Sequence, residues 1–468
     1  MVKTRSIGYA LLFFLFTACA TYYTKTFSFQ EKIQTGQIEK AEKQLEGDKK
    51  WEKGKNSVLY YLNRGYVNWL LQNYENSNNF FTIADNKIED QYKDYKLEAL
   101  ALITNPMVKP YKAEDFETVI LNYFKALNYI SMNQLDEALV EVKKINIKLN
   151  KLNDKYPKHK NRYSKDAFAH LIMGIIYDAK HDYNNAFIAY RNAYEVYKEL
   201  YVKEFNVDAP EQLKKDILRT AYLTGFYDDV RFYEKEFKTK YVHDKNAGPE
   251  LVFFWLNGFG PVKAEWSINF TALPGGDGVM TFSNEELGLS FPIITSDFND
   301  NEKAALSDLR FLRIAFPKYV ERNPVFVKAT LSNNSSKSYQ LEMAQNINEI
   351  AFKTLHDRMV RELANSIGRL AVKKAMEAIA NKQNENLGML VGLTNALTEK
   401  ADTRNWQTLP FSISYIRIPL NKGDNNVKLT TYSKQNSQVH DFNIKADNNK
   451  TYIRYFHTLD STWPNIAY

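Results

Sequence analysis

At 468 residues, with 44% hydrophobic and 25% charged content, the chain is long enough for two to three domains and buries ample core without covalent staples. Its single cysteine excludes an internal disulfide framework and a sulfur-rich metal site. The net charge of +7 is a mild excess, and no dense basic run with interleaved aromatics points to nucleic acid as a partner.

In chain order, Lys3 and Arg5 precede an apolar run, Ile7 to Phe16, too short for a comfortable membrane span and of the right length for a secretory leader. Phe16-Thr17-Ala18-Cys19 resembles a bacterial lipoprotein lipobox, which implies a leader over residues 1–18 and acylation of Cys19. Loss of Lys3 and Arg5 would leave +7 − 2 = +5. Ala20 follows the cysteine with no acidic cluster nearby, which in lipoproteins of the Gram-negative type resembles an outer-membrane anchor facing the periplasm. No later apolar run approaches the length of a spanning helix.

Residues 19–55 read as a lipid tether and a first helical hairpin, with a turn and helix start at Gly36 to Ala41. Residues 56–240 carry clearer repeats. From Gly65, offsets of 9, 12, 16 and 19 reach Tyr74, Ser77, Phe81 and Ala84. The same offsets from Ala126 reach Leu135, Ala138, Val142 and Ile145, and from Gly174 reach Tyr183, Ala186, Tyr190 and Ala193. Small residues where two helices cross, with aromatics beside them, resemble the tetratricopeptide pattern and predict stacked hairpins lining a concave groove. Tyr66, Trp69 and Asn73, on and just after a first helix, are the candidate partner-binding residues of that groove. A degenerate helix pair is expected around Gln91 to Ile103, and a looser fourth pair from Pro210 to Phe237 with Ala221 at the small position.

Composition changes after Lys245, and residues 247–468 predict a C-terminal α+β domain with a mainly antiparallel sheet and one long amphipathic helix. Strands are expected at Glu250–Leu256, Ala264–Leu273, Leu289–Thr295, Arg310–Phe316 and Val325–Leu331, then at Phe411–Pro419, Val427–Tyr432, Val439–Ile444 and Thr451–Phe456. Between them Ile347, Ala351, Leu355, Met359, Leu363, Ile367 and Leu370 form one apolar helical stripe. Arg358, Arg361, Arg369, Lys373 and Lys374 read as its solvated face. Gly388 and Gly392, four apart, would share a helix face open to close approach, as an assembly helix, a membrane-touching hairpin or plain core. Asp402 and Arg404 read as a structural ion pair with Trp406 packed over it.

A lipobox, helical repeats, a strand ending Asn257-Gly258, a long basic helix and the segment Ala401-Asp402-Thr403-Arg404-Asn405-Trp406-Gln407-Thr408-Leu409-Pro410 together resemble a family of bacterial envelope lipoproteins. The most distinctive pieces are Glu250 to Lys263 and Lys373 to Pro410. Members tend to be encoded near small lipoproteins similar to activators of penicillin-binding proteins, so the resemblance implies a role in envelope assembly. The sequence contains no Gly-x-Ser-x-Gly, no His-Glu-x-x-His and no histidine pair at metal spacing. The expectation is therefore a scaffold without catalytic residues, metal or cofactor, anchored through Cys19, with envelope proteins or a second copy of the chain as partners. Two alternatives remain: a glycan-binding lipoprotein serving an outer-membrane transporter, and a hydrolase in the C-terminal domain, for which Asp402 would be tested first.

Overall fold

How near two helices come is limited by the side chains where they cross. In the computed structural model, which describes residues 22–93, 107, 109–156, 161–245, 248–275, 278–334, 337–383, 401–447 and 449–464, the sequence spacing is realised as contact at those crossings. A Cβ added at Gly65 would stand 2.6 Å from the Phe81 ring, and one at Gly174 would stand 2.3 Å from the Tyr190 ring. The hydroxyl of Ser77 donates to the Gly65 carbonyl oxygen at 2.7 Å, tying the two helices at the same level.

Five hairpins make up the array: α1 (Tyr22–Gln34) with α2 (Ile38–Glu46), α4 (Ser57–Leu70) with α5 (Tyr74–Lys93), α6 (Asp115–Ser131) with α7 (Leu135–Lys155), α8 (Ala167–Ala179) with α9 (Tyr183–Val196), and α11 (Glu211–Thr224) with α12 (Tyr227–Glu236). Two short helices, α3 (Lys49–Lys53) and α10 (Val202–Phe205), link them. One turn closes all five: Gly36, Gln72, Asn133, His181 and Gly225 each take positive φ, between 58° and 82°, two residues before the second helix. Counting back seven residues from the last of these turns puts Leu218, not Ala221, in register with Gly65 and Gly174. The expected small position of the fourth pair is corrected accordingly. Of the pair expected at Gln91 to Ile103, residues 91–93 belong to α5 and the rest lie outside the described residues.

The strands form three sheets rather than one. The first has the order β12-β1-β9-β8, from β1 (Glu250–Asn257), β8 (Glu342–Asn346), β9 (Ser412–Pro419) and β12 (Thr451–Thr458), with β1 parallel to β12 and antiparallel to β9. The second, β11-β10-β6-β7, comprises β6 (Lys328–Asn333), β7 (Ser338–Gln340), β10 (Gly423–Tyr432) and β11 (Ser437–Ala446). The third, β4-β3-β2-β5, comprises β2 (Val262–Pro274), β3 (Val279–Asn284), β4 (Leu289–Ile294) and β5 (Phe311–Val320). A short helix, α13 (Asp300–Asp308), and the long α14 (Ile347–Gln383) complete the fourteen α-helices of the described residues. Helix α13, closed by a capping box between Asn299 and Glu302, was not expected; neither were β3, β7 and β8.

The first sheet is the middle layer. Successive strand residues point to opposite faces, and here both faces are covered. Val252, Phe254 and Leu256 join the core shared with the helices, while Leu251, Phe253 and Trp255 join a separate core with the second sheet. The apolar stripe of α14 is buried from Ile347 to Ile367, with Leu370 half-buried, and Gly368 meets Ile293 of β4. The start of the chain is no loose tether from Tyr22 onward. The Tyr22 backbone N–H donates to Thr403 Oγ1 at 3.1 Å, and Thr26 Oγ1 donates to Gln407 Oε1 at 3.0 Å, so α1 is docked on the C-terminal half.

Candidate functional site: the inner face of the helical array

A free groove would expose one side of each first helix. Instead α4, α6 and α8 are buried almost along their lengths, because the chain's own strands and α14 fill that side. Each of these three helices engages elements of the C-terminal half.

On α4, Tyr66 is fully buried, and its hydroxyl donates to Nδ1 of His457 on β12 at 3.0 Å. The opposite nitrogen, Nε2, lies 2.8 Å from the Gly258 carbonyl and so carries the proton. Burial pushes this imidazole down to about 4, which keeps it neutral. Trp69 stacks on Tyr455 with ring centroids 4.9 Å apart. The expectation that Tyr66 and Trp69 line a partner groove is corrected: β12 covers both. Asn73 is exposed at the turn into α5, where its backbone N–H donates to the Asn68 carbonyl oxygen.

On α6 sits a buried ion cluster. Glu114, at the helix start, pairs with Lys263 of β2 and Arg358 of α14. Burial alone would raise the Glu114 carboxyl, but those two cations outweigh it and hold it down at about 2. Glu117, one turn on, accepts from the Tyr111 hydroxyl, from the Glu114 backbone N–H at 3.0 Å and from the Trp406 backbone N–H at 2.6 Å. Burial, then the neighbouring Glu114 charge, push it up to about 7. On α8 and the loop before it, Asp166 accepts from the hydroxyls of Tyr123 and Tyr163 and from Gln345 Nε2 of β8. Asp178 pairs with Arg417 of β9 at 2.6 Å and with Arg219. Arg417 also reaches Glu250 at 2.7 Å and Asp216 at 2.9 Å.

The Ala401–Pro410 segment threads between the two halves. Asp402 and Arg404 do pair, at 2.7 Å, and the Arg404 guanidinium continues to Asn56 Oδ1 and the Lys109 carbonyl oxygen. The ring over this cation is Tyr111, 5.4 Å from its centroid, and not Trp406. Trp406 packs instead among Phe81 and Phe124 and donates from Nε1 to Thr408 Oγ1 at 2.8 Å. Arg322, which the sequence reading did not single out, is fully buried over Phe259 and donates to the carbonyl oxygens of Gly260 and Gln407. Nor is the cationic side of α14 solvated throughout: Arg358 is spent on Glu114, and Arg361 lies over the Tyr156 ring at 4.0 Å. Cys19, Gly388 and Gly392 lie outside the described residues.

Two open clefts flank this interface. One, of about 590 Å³, lies between Arg162 and the start of α14 at Asn348, Phe352 and His356. The other, of about 390 Å³, lies between α11 and the chain at 239–242, with Arg219 and Arg417 in its wall. No group of three metal-ligating side chains occurs among the described residues. No helix among them is long and apolar enough to cross a membrane.

No family model matches the chain, and no curated protein matches it. Among solved structures, the apo form of RapI matches at 14% identity and a TM-score of 0.33, over 49% of this chain and 56% of RapI. The chain thus spans about half the length of RapI, and a likeness at that level carries no argument about fold or activity.

Proposed function

We propose that this chain is a lipoprotein scaffold of the bacterial envelope, anchored through Cys19, in which a tetratricopeptide-like array serves as a mount for the C-terminal sheets. The observation that supports this reading is the occupied inner face. Buried Glu114, Asp166 and Asp178 all engage the chain's own C-terminal residues, so the array positions an internal cargo and the outer surfaces are left to meet partners. Asp402, the residue the hydrolase alternative would test first, pairs with Arg404, whose guanidinium reaches Asn56 at the start of α4. A role in envelope assembly, with envelope proteins as partners, rests on the sequence resemblance.

The test is crosslinking in intact cells followed by purification of the full chain from solubilised envelopes. Recovery of a defined set of envelope proteins supports the scaffold; recovery of nothing but a transporter and bound glycan overturns it. Asp402→Asn separates the hydrolase alternative, since a scaffold keeps its partners and has no turnover to lose.

A further inference from the structure

Around Tyr22 the structure gathers lysines that have no structural work to do. The Tyr22 ring stacks on Trp51 of α3, centroids 5.7 Å apart, and its backbone N–H is held by Thr403. Beside that stack stand Lys25 on α1, Lys50 and Lys53 on α3, and Lys55 just after it, all exposed. Their proximity is electrostatic as well as geometric. The Lys55 ammonium is pushed down first by partial burial and then by the positive charges of Arg404, Lys25 and Lys50. The local acids are already committed: Asp48 accepts from the Trp51 backbone N–H to cap α3, Glu52 pairs with Lys49 at 3.3 Å, and Asp402 pairs with Arg404. Among the described residues, Lys25, Lys50, Lys53 and Lys55 enter no ion pair.

We propose that Lys25, Lys50, Lys53 and Lys55 form a docking face for an anionic phospholipid surface, on which the body of the protein rests directly. The inference rests on the anchored reading for its geometry. Two residues separate Cys19 from Tyr22, and extended chain covers at most about 11 Å over those three Cα–Cα steps. A lipid on Cys19 therefore leaves the body no freedom to stand away from the bilayer. The side it must present is the one around the Tyr22 backbone, where Lys25, Lys50, Lys53 and Lys55 enter no ion pair among the described residues. Exposed cations act on an anionic surface within a Debye length of about 8 Å at physiological salt, which the short link guarantees.

The experiment uses the full mature chain with Cys19→Ser, so that no lipid contributes, and vesicles of phosphatidylcholine with or without about 30% phosphatidylglycerol. The expected result is co-flotation with the anionic vesicles only, at least about tenfold weaker when salt rises from about 50 mM to about 500 mM. Lys25→Glu/Lys50→Glu/Lys55→Glu should lose the binding, while Lys328→Glu/Lys428→Glu/Lys445→Glu, on the outer face of the second sheet, should keep it. Equal binding to both vesicle types, no binding to either, or binding unmoved by the first triple variant overturns the proposal. Mass spectrometry of the amino terminus of the native chain tests the anchored reading separately. An unmodified Cys19 with intact vesicle binding sinks the anchor and keeps the face; an acylated Cys19 with an indifferent triple variant does the reverse.

Discussion

The first sheet has two faces that are both dry and yet are built on opposite principles. Toward the helices its strands carry Arg417, His457 and Gln345, each engaged with a polar group of the array. Toward the second sheet the same strands present Leu251, Phe253, Trp255, Ile416 and Ile418 against Val427, Leu429 and Ile444. Apolar contact is insensitive to small sliding, whereas a buried carboxylate tolerates one partner in one place. The difference teaches that the sandwich supplies cohesion, and the charged face supplies the register between array and sheets.

The largest effect should come from removing a cation that joins the array to the sheets, here Lys263 on β2 of the third sheet. Lys263→Met leaves Glu114 buried with Arg358 as its remaining partner and should cost about 3–5 kcal/mol in chemical denaturation. Leu429→Ala in the sandwich, fully buried, should cost about 2–5 kcal/mol through its cavity. The comparison is sharpened by adding Glu114→Gln to each. It should recover a good part of the loss in Lys263→Met and none in Leu429→Ala. Equal behaviour of the two backgrounds would mean the charges set no register.

The charged interface between array and C-terminal half should also differ from the apolar sandwich in how it answers to pH. Glu117 sits at about 7 in the fold against an ordinary 4.5, so between those values the folded chain keeps a proton that the unfolded chain has lost. Its contribution therefore declines as pH rises through that window. Glu114, held at about 2, contributes above 4.5 and loses its contribution as pH falls toward 2. His457, held at about 4 against 6.5, likewise loses its contribution as pH falls through that range. Glu117→Gln should remove the declining limb, on the order of 2 kcal/mol between about pH 5 and about pH 8 by denaturation midpoints. Leu429→Ala should leave the pH slope as in the parent. A Glu117→Gln slope identical to the parent would show that this carboxyl does not titrate there.

What could be read from the chain divides along the same line. Hairpin crossings are local, so Gly65 and Phe81 announce themselves sixteen residues apart, and the continuous apolar run of β1, Leu251 to Leu256, marks a strand buried on both sides. The pairing of β1 with β12 joins residues some two hundred positions apart, such as Glu250 and Thr451, and no local pattern encodes it. The filling of the groove was missed for the same reason. A signal was nonetheless present. Arg417 has the inward parity of Ile413 and Tyr415, Asp178 ends the apolar run of α8, and Lys263 follows Val262 in a buried stretch. A charge at a position whose period says buried predicts a buried partner, and here all three have one.

Within the array the crossings should matter more than the turns. Gly174→Ala drives a methyl into the Tyr190 ring, whose hydroxyl is fixed at 3.1 Å to both Asp178 and Arg417. The ring cannot withdraw without disturbing the charged face, so a loss of about 1–3 kcal/mol is expected. A loss near zero would mean that α8 and α9 separate freely.

The smallest effect belongs to the turns. Gln72 takes φ of 61° at a position where Gly36 and Gly225 stand in the outer hairpins. A side chain in that left-handed region costs about 1–2 kcal/mol, part of which glycine gives back through the greater freedom of its unfolded chain. Gln72→Gly should therefore stabilise by about 0.5–1 kcal/mol, seen as a higher denaturation midpoint with an unchanged slope. Since the turn touches neither face of the first sheet, the gain should be the same in the parent and in Lys263→Met. A gain that depends on Lys263 would mean that strain in the turn is coupled to the register of the sheets, and that the array is more than a passive mount.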